Sequence, residues 1–302
     1  NRDVSAALIL RFYKNIERNH NVQYATLGLM HLLLQTHKQE LVELIAGLEP
    51  VQKSFNKNTN SANYKIVTTI ATHYLAPFSV LDLLIKRSDA YVRTLIAMRK
   101  DCNEEMQTAL FDSGDETVLE AISYNKSIVK SIVDKLIINE KLSKNIANNI
   151  KLDGEFFKLF LYKYPAELAQ NESLTYEMQE SLVYLREESV NVSLATNIMI
   201  DKKVILELLI EGSQDIKFAI YKNSATPAET LEEAYKNVLN HFSLSHNKNT
   251  PVHILELFAK SSNISVLEGL AKNQSTPIEV LYQLQLDSRL ARIVKENPEF
   301  GK

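Results

Sequence analysis

Lys222-Asn223-Ser224-Ala225-Thr226-Pro227-Ala228-Glu229 and Lys272-Asn273-Gln274-Ser275-Thr276-Pro277-Ile278-Glu279 are two copies of one phrase. A shorter copy, Asn247-Lys248-Asn249-Thr250-Pro251, lies between them, and Asn297-Pro298 follows. The asparagines stand 24, 26 and 24 residues apart, and similar strides toward the N-terminus reach Asn197, Asn171, Asn149, Asn125, Arg99 and His73. A true repeat must also put apolar residues at fixed offsets from these ten marks. Three residues before them stand Ile70, Ile96, Ile122, Ile146, Leu168, Leu194, Ile220, Leu244, Leu270 and Val294, all aliphatic. Eleven after them come Leu84, Leu110, Leu136, Phe160, Leu182, Leu208, Ala234, Phe258 and Leu284, and two before them alanine recurs at 71, 97, 147, 169, 195 and 271.

Each unit of 22 to 26 residues reads as two short helices. The second opens near Asp89, Asp115, Asn139, Ser213, Asn237, Asn263 or Asp287, side chains that accept a hydrogen bond from the free N–H groups of a first turn. Asparagine at the mark suits either a residue leaving the helix with positive φ or a side chain bonding neighbouring loop backbone as a ladder. Thr-Pro-x-Glu at 226–229 and 276–279 predicts a capping box, with Thr as cap, Pro at the first helical position and Glu229 or Glu279 reaching back. Such a unit cannot bury its apolar face alone, so stacking must supply the core. The expected fold is all-α: a right-handed solenoid of about nine to ten two-helix repeats over residues 63–302, behind an N-terminal helical cap or degenerate repeat at 1–62.

In that N-terminal segment Val4–Ile16, Val22–Leu34 and Leu41–Leu48 read as amphipathic helices, and Thr36 with Gln39 as a further capping box. Leu41, Ile45 and Leu48 mimic the repeat's apolar positions. The polar stretch KSFNKNTNSAN at 53–63 reads as a mobile loop.

Composition agrees with helices and limits function. Only seven Gly and seven Pro in 302 residues leave too few breakers for a sheet protein. The single cysteine, Cys102, excludes an intramolecular disulfide and a Cys-ligated zinc or iron–sulfur centre. Its place, where Thr stands in other units, marks it as a structural residue. Net charge is −3, but the middle hundred residues hold 9 basic and 17 acidic side chains, which would repel a phosphate backbone. The longest strongly apolar stretch, Leu27–Leu34, is far short of a membrane span.

The Asn-x-x-Thr-Pro-x-Glu-x-x-Leu opening, the Asp-x-x-Val-Arg-x-x-Ile-Ala core at Asp89–Ala97 and the closing Asn-Pro at 297 resemble the leucine-rich repeat variant family, bacterial two-helix repeats in the style of HEAT and armadillo proteins. The resemblance is specific over 197–298, fair over 66–196 and absent before that. It implies a right-handed helical solenoid; a cytoplasmic location is expected. The family's best-known type adds a four-cysteine iron–sulfur domain, which one cysteine cannot supply, so no cofactor is expected.

The seven histidines lack metal-ligand spacing, and no P-loop, GxGxxG, HExxH or GxSxG is present. Glu104-Glu105, Glu187-Glu188 and Glu232-Glu233 read as solvated faces. The second helices present residues eight, five and one before each mark away from the core stripe, on what is the concave face of HEAT-type solenoids. There stand Tyr91, Met98, Tyr124 and Thr196, then Phe218 with Lys222, Phe242 with His246, and Lys272. Two aromatics in a row where solvent is expected point to a partner-binding patch centred on Phe218 and Phe242, with Lys222 and Lys272 at its rim and His246 among its residues. The reading is a non-enzymatic scaffold for a protein or peptide. Its alternatives are a HEAT-like nucleic-acid binder of DNA-glycosylase type, which needs a longer basic stripe, and a scaffold segment of a larger chain.

Overall fold

A computed structural model describes residues 22–55 and 62–301. Among them every regular element is helical. The predicted helix at 4–16 and most of the predicted loop at 53–63 lie outside the described residues. The chain divides into two compact units, Asn1–Lys151 and Leu152–Lys302.

Within each unit short helices alternate. One of each pair ends at or just before a mark, as in Ala90–Ala97, Glu116–Ser123, Glu188–Thr196, Gln214–Lys222 and Ile264–Lys272. These pack side by side along the chain, Ala90–Ala97 against Glu116–Ser123 and Glu188–Thr196 against Gln214–Lys222. All ten aliphatic residues three before the marks are wholly buried, from Ile70 to Val294. The residues eleven after the marks, Leu84 through Leu284, are buried too. Alanine two before the mark is buried at 71, 97, 147, 169, 195 and 271, and buried Ser123 and Ser245 replace it in two units. A side chain no larger than these lets the neighbouring helix approach closely.

Six of the expected caps hold their helices: Asp89, Asp115, Asn139, Ser213, Asn237 and Asn263 each accept a first-turn N–H. Asp287 accepts from Arg289 N–H inside the turn that precedes Ala291–Glu296. The weakest unit begins with a single 3₁₀ turn, Val238–Asn240, before His241–His246. Its buried Asn240 stands where the other units are apolar or aromatic, and donates to Ala234 O at 2.9 Å.

Three local expectations are corrected. Thr226, Thr250 and Thr276 do not cap the following helices: their hydroxyls donate backward to Ile220 O, Leu244 O and Leu270 O. Pro227, Pro251 and Pro277 themselves stand at the helix entry, and no side chain caps those helices. The threonine site is an interior one, also filled by buried Ala76, Cys102, Ile128, Leu174 and Ile200; a hydroxyl there must find an acceptor, and the carbonyl six residues back is in reach. Thr36 likewise accepts from Lys38 N–H in a local turn, while the Gln39 amide runs forward to Glu43.

The marks, finally, do not leave their helices with positive φ. Asn197, Asn223, Asn247, Asn273 and Asn297 have φ between −68° and −86°. Among the described residues positive φ is confined to Gly114, Arg186 and Gly301. The ladder alternative is the one found.

Candidate functional site

The ladder builds the floor of the site. Asn223 Nδ2 donates to Ala195 O and Asn197 O, both at 2.8 Å, while its Oδ1 accepts from Ala225 N–H. Asn197 repeats the pattern on Ala169 and Asn171, Asn247 on Tyr221 and Asn223, Asn273 on Ser245 and Asn247, and Asn297 on Ala271 and Asn273. Every acceptor pair is a carbonyl at the C-terminal end of the preceding repeat's helix and the carbonyl of its mark. A helix end leaves such carbonyls without intrahelical partners, and a primary amide, with two donors and one carbonyl, can bridge two of them and still fix its own turn.

In the N-terminal unit the same job falls to three residue types. Asn125 bonds Ala97 O and Arg99 O. Arg99 Nη1 bonds Ala71 O and His73 O, and its remaining edge is paired with Asp101 at 2.7 and 2.8 Å. A guanidinium brings a charge that an amide does not, and the carboxylate of Asp101 compensates it; that pairing holds the Asp101 carboxyl below its usual range. His73 Nδ1 accepts from Leu75 N–H, which leaves the proton on Nε2 to donate to Leu33 O at 2.9 Å. Asn149 does not join: its amide turns back to Asn145 O in its own helix. Sequence reading missed a second set of buried amides. Gln107 ties Cys102 O and Ser127 O to Val129 N–H, and Gln179 ties Leu174 O and Met199 O to Asp201 N–H. Both stand eight residues after a mark, a recurrence visible in the sequence once the register is known.

Along the ladder of the C-terminal unit runs a groove of about 560 Å³. Asn223 and Asn273 lie in its wall, and the residues on either side of the marks line it: Thr196, Lys222, His246 and Lys272 on the preceding side, Ile198, Ser224, Lys248 and Gln274 on the following side. Lys222, His246 and Lys272, expected in one patch, line one groove. Phe218 and Phe242 do not line it. Phe218 is half-buried, whereas Phe242 is 47% exposed and packs its ring on His246, centroids 4.6 Å apart. The following-side residues, Lys248 above all, were missed, because the pattern behind the expectation was helical and they stand just past the helix end.

His246 is half-buried, with Nδ1 2.9 Å from Phe242 O. Burial first, then Lys222 and Lys272, lower its pKa, against the raising effects of the Phe242 carbonyl and Glu268; the imidazole is neutral at pH 7. Gly269 makes room for it, since a Cβ there would stand 2.1 Å from Ser245 Oγ and 2.6 Å from the His246 ring. Lys222, Lys248 and Lys272 are exposed.

In the N-terminal unit the corresponding helix faces leave Tyr91, Met98 and Tyr124 exposed, and Lys141 pairs with Glu120 at 2.8 Å. Cys102 is buried; burial chiefly, then Asp101, push its thiol up to about 12, so it stays protonated and unreactive. Among the described residues no group of three His, Cys, Asp or Glu is placed to hold a metal ion, and no helix is long and apolar enough to cross a membrane.

Fold and site together define an all-helical protein with a cationic groove laid along a buried amide ladder. No protein-family profile, curated protein or solved structure matches the chain.

Proposed function

We propose that this chain is a non-enzymatic scaffold of two-helix repeats, a right-handed α-solenoid of the leucine-rich repeat variant kind, that holds another protein or peptide in the groove along its asparagine ladder. One observation carries the reading: residues flanking the marks of four successive repeats line a single groove, while the asparagines between them hold the fold. Contacts spread over several repeats suit a chain-like ligand, which offers groups at regular intervals, better than a single reacting bond. Phe242, exposed and braced by His246, adds an apolar anchor beside the groove.

Panning a displayed library of random short peptides against the chain tests this. Ser224→Trp, placed to fill the groove, is the counter-screen. The reading expects enriched peptides that bind the parent chain and lose binding to the variant, with helical circular dichroism unchanged. Peptides that bind both equally, or no enrichment at all, overturn it. Solution scattering tests the architecture: a compact globule of this length has a radius of gyration of roughly 19 Å, whereas a continuous repeat array exceeds about 25 Å at ordinary helix spacing.

A further inference from the structure

We infer that the partner presents an extended acidic segment whose carboxylates recur about every third residue and meet Lys222, Lys248 and Lys272 in turn; this rests on the peptide-binding reading above. The three lysines come from successive repeats, 26 and 24 residues apart, and line the same groove. Some cations elsewhere in the chain are matched within it: Lys86 with Asp82, Lys141 with Glu120, Lys236 with Glu233 and Arg289 with Asp287. The groove lysines form no ion pair among the described residues, although Glu268, four residues before Lys272 on the same helix, is close enough to act on His246. Three lysines without an ion pair lining one groove are complementary to an anionic ligand.

The spacing selects the kind of anion. Packed helices lie roughly 8–10 Å apart, and an extended chain advances about 3.3 Å per residue, so one repeat corresponds to about three residues of ligand. A free phosphate cannot meet all three lysines across that distance. A single-stranded nucleic acid would want rings on which to stack its bases, but the one ring among the groove-lining residues is the His246 imidazole, already packed on Phe242. Ser224, Gln274 and Thr196 supply neutral hydrogen-bonding groups of the sort an extended peptide backbone can use.

The test is fluorescence anisotropy with a labelled peptide of repeating Glu-Ala-Ala, its Gln-Ala-Ala counterpart and an oligothymidylate as probes. The receptors are the parent chain, Ser224→Trp, the triple variant Lys222→Gln/Lys248→Gln/Lys272→Gln, and a control triple Lys202→Gln/Lys217→Gln/Lys236→Gln. The glutamate peptide is expected to bind about tenfold or more tighter than the glutamine peptide, to weaken as salt is raised, to lose binding in the groove variants and to keep it in the control. If both peptides bind the groove equally, or if the library of the preceding section yields groove-dependent peptides without acidic residues, the acidic assignment fails while the peptide-binding reading stands. Preferential binding of the oligothymidylate overturns the assignment in favour of nucleic acid. If neither the glutamate peptide nor any library peptide binds in the groove, both fail together.

Discussion

Asn223 uses both amide protons and its carbonyl at once, on Ala195 O, Asn197 O and Ala225 N–H. Asn223→Ala strips a partner from two buried carbonyls, and the expected loss is about 2–4 kcal/mol, read as a lower urea midpoint; Asn223→Asp, which sets a carboxylate against two carbonyl oxygens, should cost more. Asn149→Ala should cost less than about 0.5 kcal/mol by the same measurement, since that half-buried amide bonds Asn145 O within its own helix. Gly269→Ala drives a methyl into Ser245 and His246, an overpacking worth roughly 1–3 kcal/mol that also moves the His246 ring signals in NMR. His73 gives a pH signature. Burial first, then Arg99 and His37, lower its pKa against the raising bond to Leu33 O, so the unfolded chain binds its proton more readily than the folded one. Its contribution is complete above the unfolded value of about 6.5 and is lost as pH falls through the lower folded value. Melting temperature should drop over that interval, and His73→Gln should flatten the drop.

At the scale of the helix, a unit such as that of Ala90–Ala97 is fixed at one end by a cap and at the other by the ladder. Asp89 accepts Val92 N–H and both of its oxygens lie within 3.1 Å of the Tyr64 hydroxyl, so it joins Ala90–Ala97 to Ala62–Thr72, two helices back. Asp89→Ala should cost about 1–2 kcal/mol by equilibrium unfolding. Thr226 works at the opposite boundary. Because its hydroxyl bonds Ile220 O rather than a first-turn amide, Thr226→Val should cost about 1 kcal/mol while amide exchange in Ala228–Ala234 stays as it was. A true capping residue would instead let that first turn fray. The sequence announced that Thr, Pro and Asn punctuate the helices, but not which partner each would take. A hydroxyl can satisfy a carbonyl behind it or an amide ahead of it, and only the packed position of the loop selects between them.

At the scale of the molecule, the two compact units meet in sequence at Lys151 and Leu152, just past the mark whose amide stays within its own helix. Each unit has its own buried residues. In the C-terminal one a continuous apolar cluster joins Leu231, Leu244, Phe258, Leu270, Leu281 and Val294. Contacts between nearest repeats carry the stability of such assemblies, so residues 152–302 expressed alone should show a helical circular dichroism spectrum and cooperative unfolding. A spectrum of disordered chain would show that the core of this unit is not self-sufficient.

By itself the sequence determined the helical class, six of the caps that open mark-ending helices and the ten aliphatic residues that are wholly buried, because these follow from period and polarity along one chain. It also picked out Lys222, His246 and Lys272 as neighbours across repeats. Tertiary structure alone decided that the asparagines bridge carbonyls 24 to 28 residues away, that arginine and histidine can take their place, and that Lys248 faces the same groove as Lys222. Each of these depends on where a neighbouring repeat puts its backbone oxygens and loops. That distance in space is set by packing between units and leaves no periodic trace within any one of them.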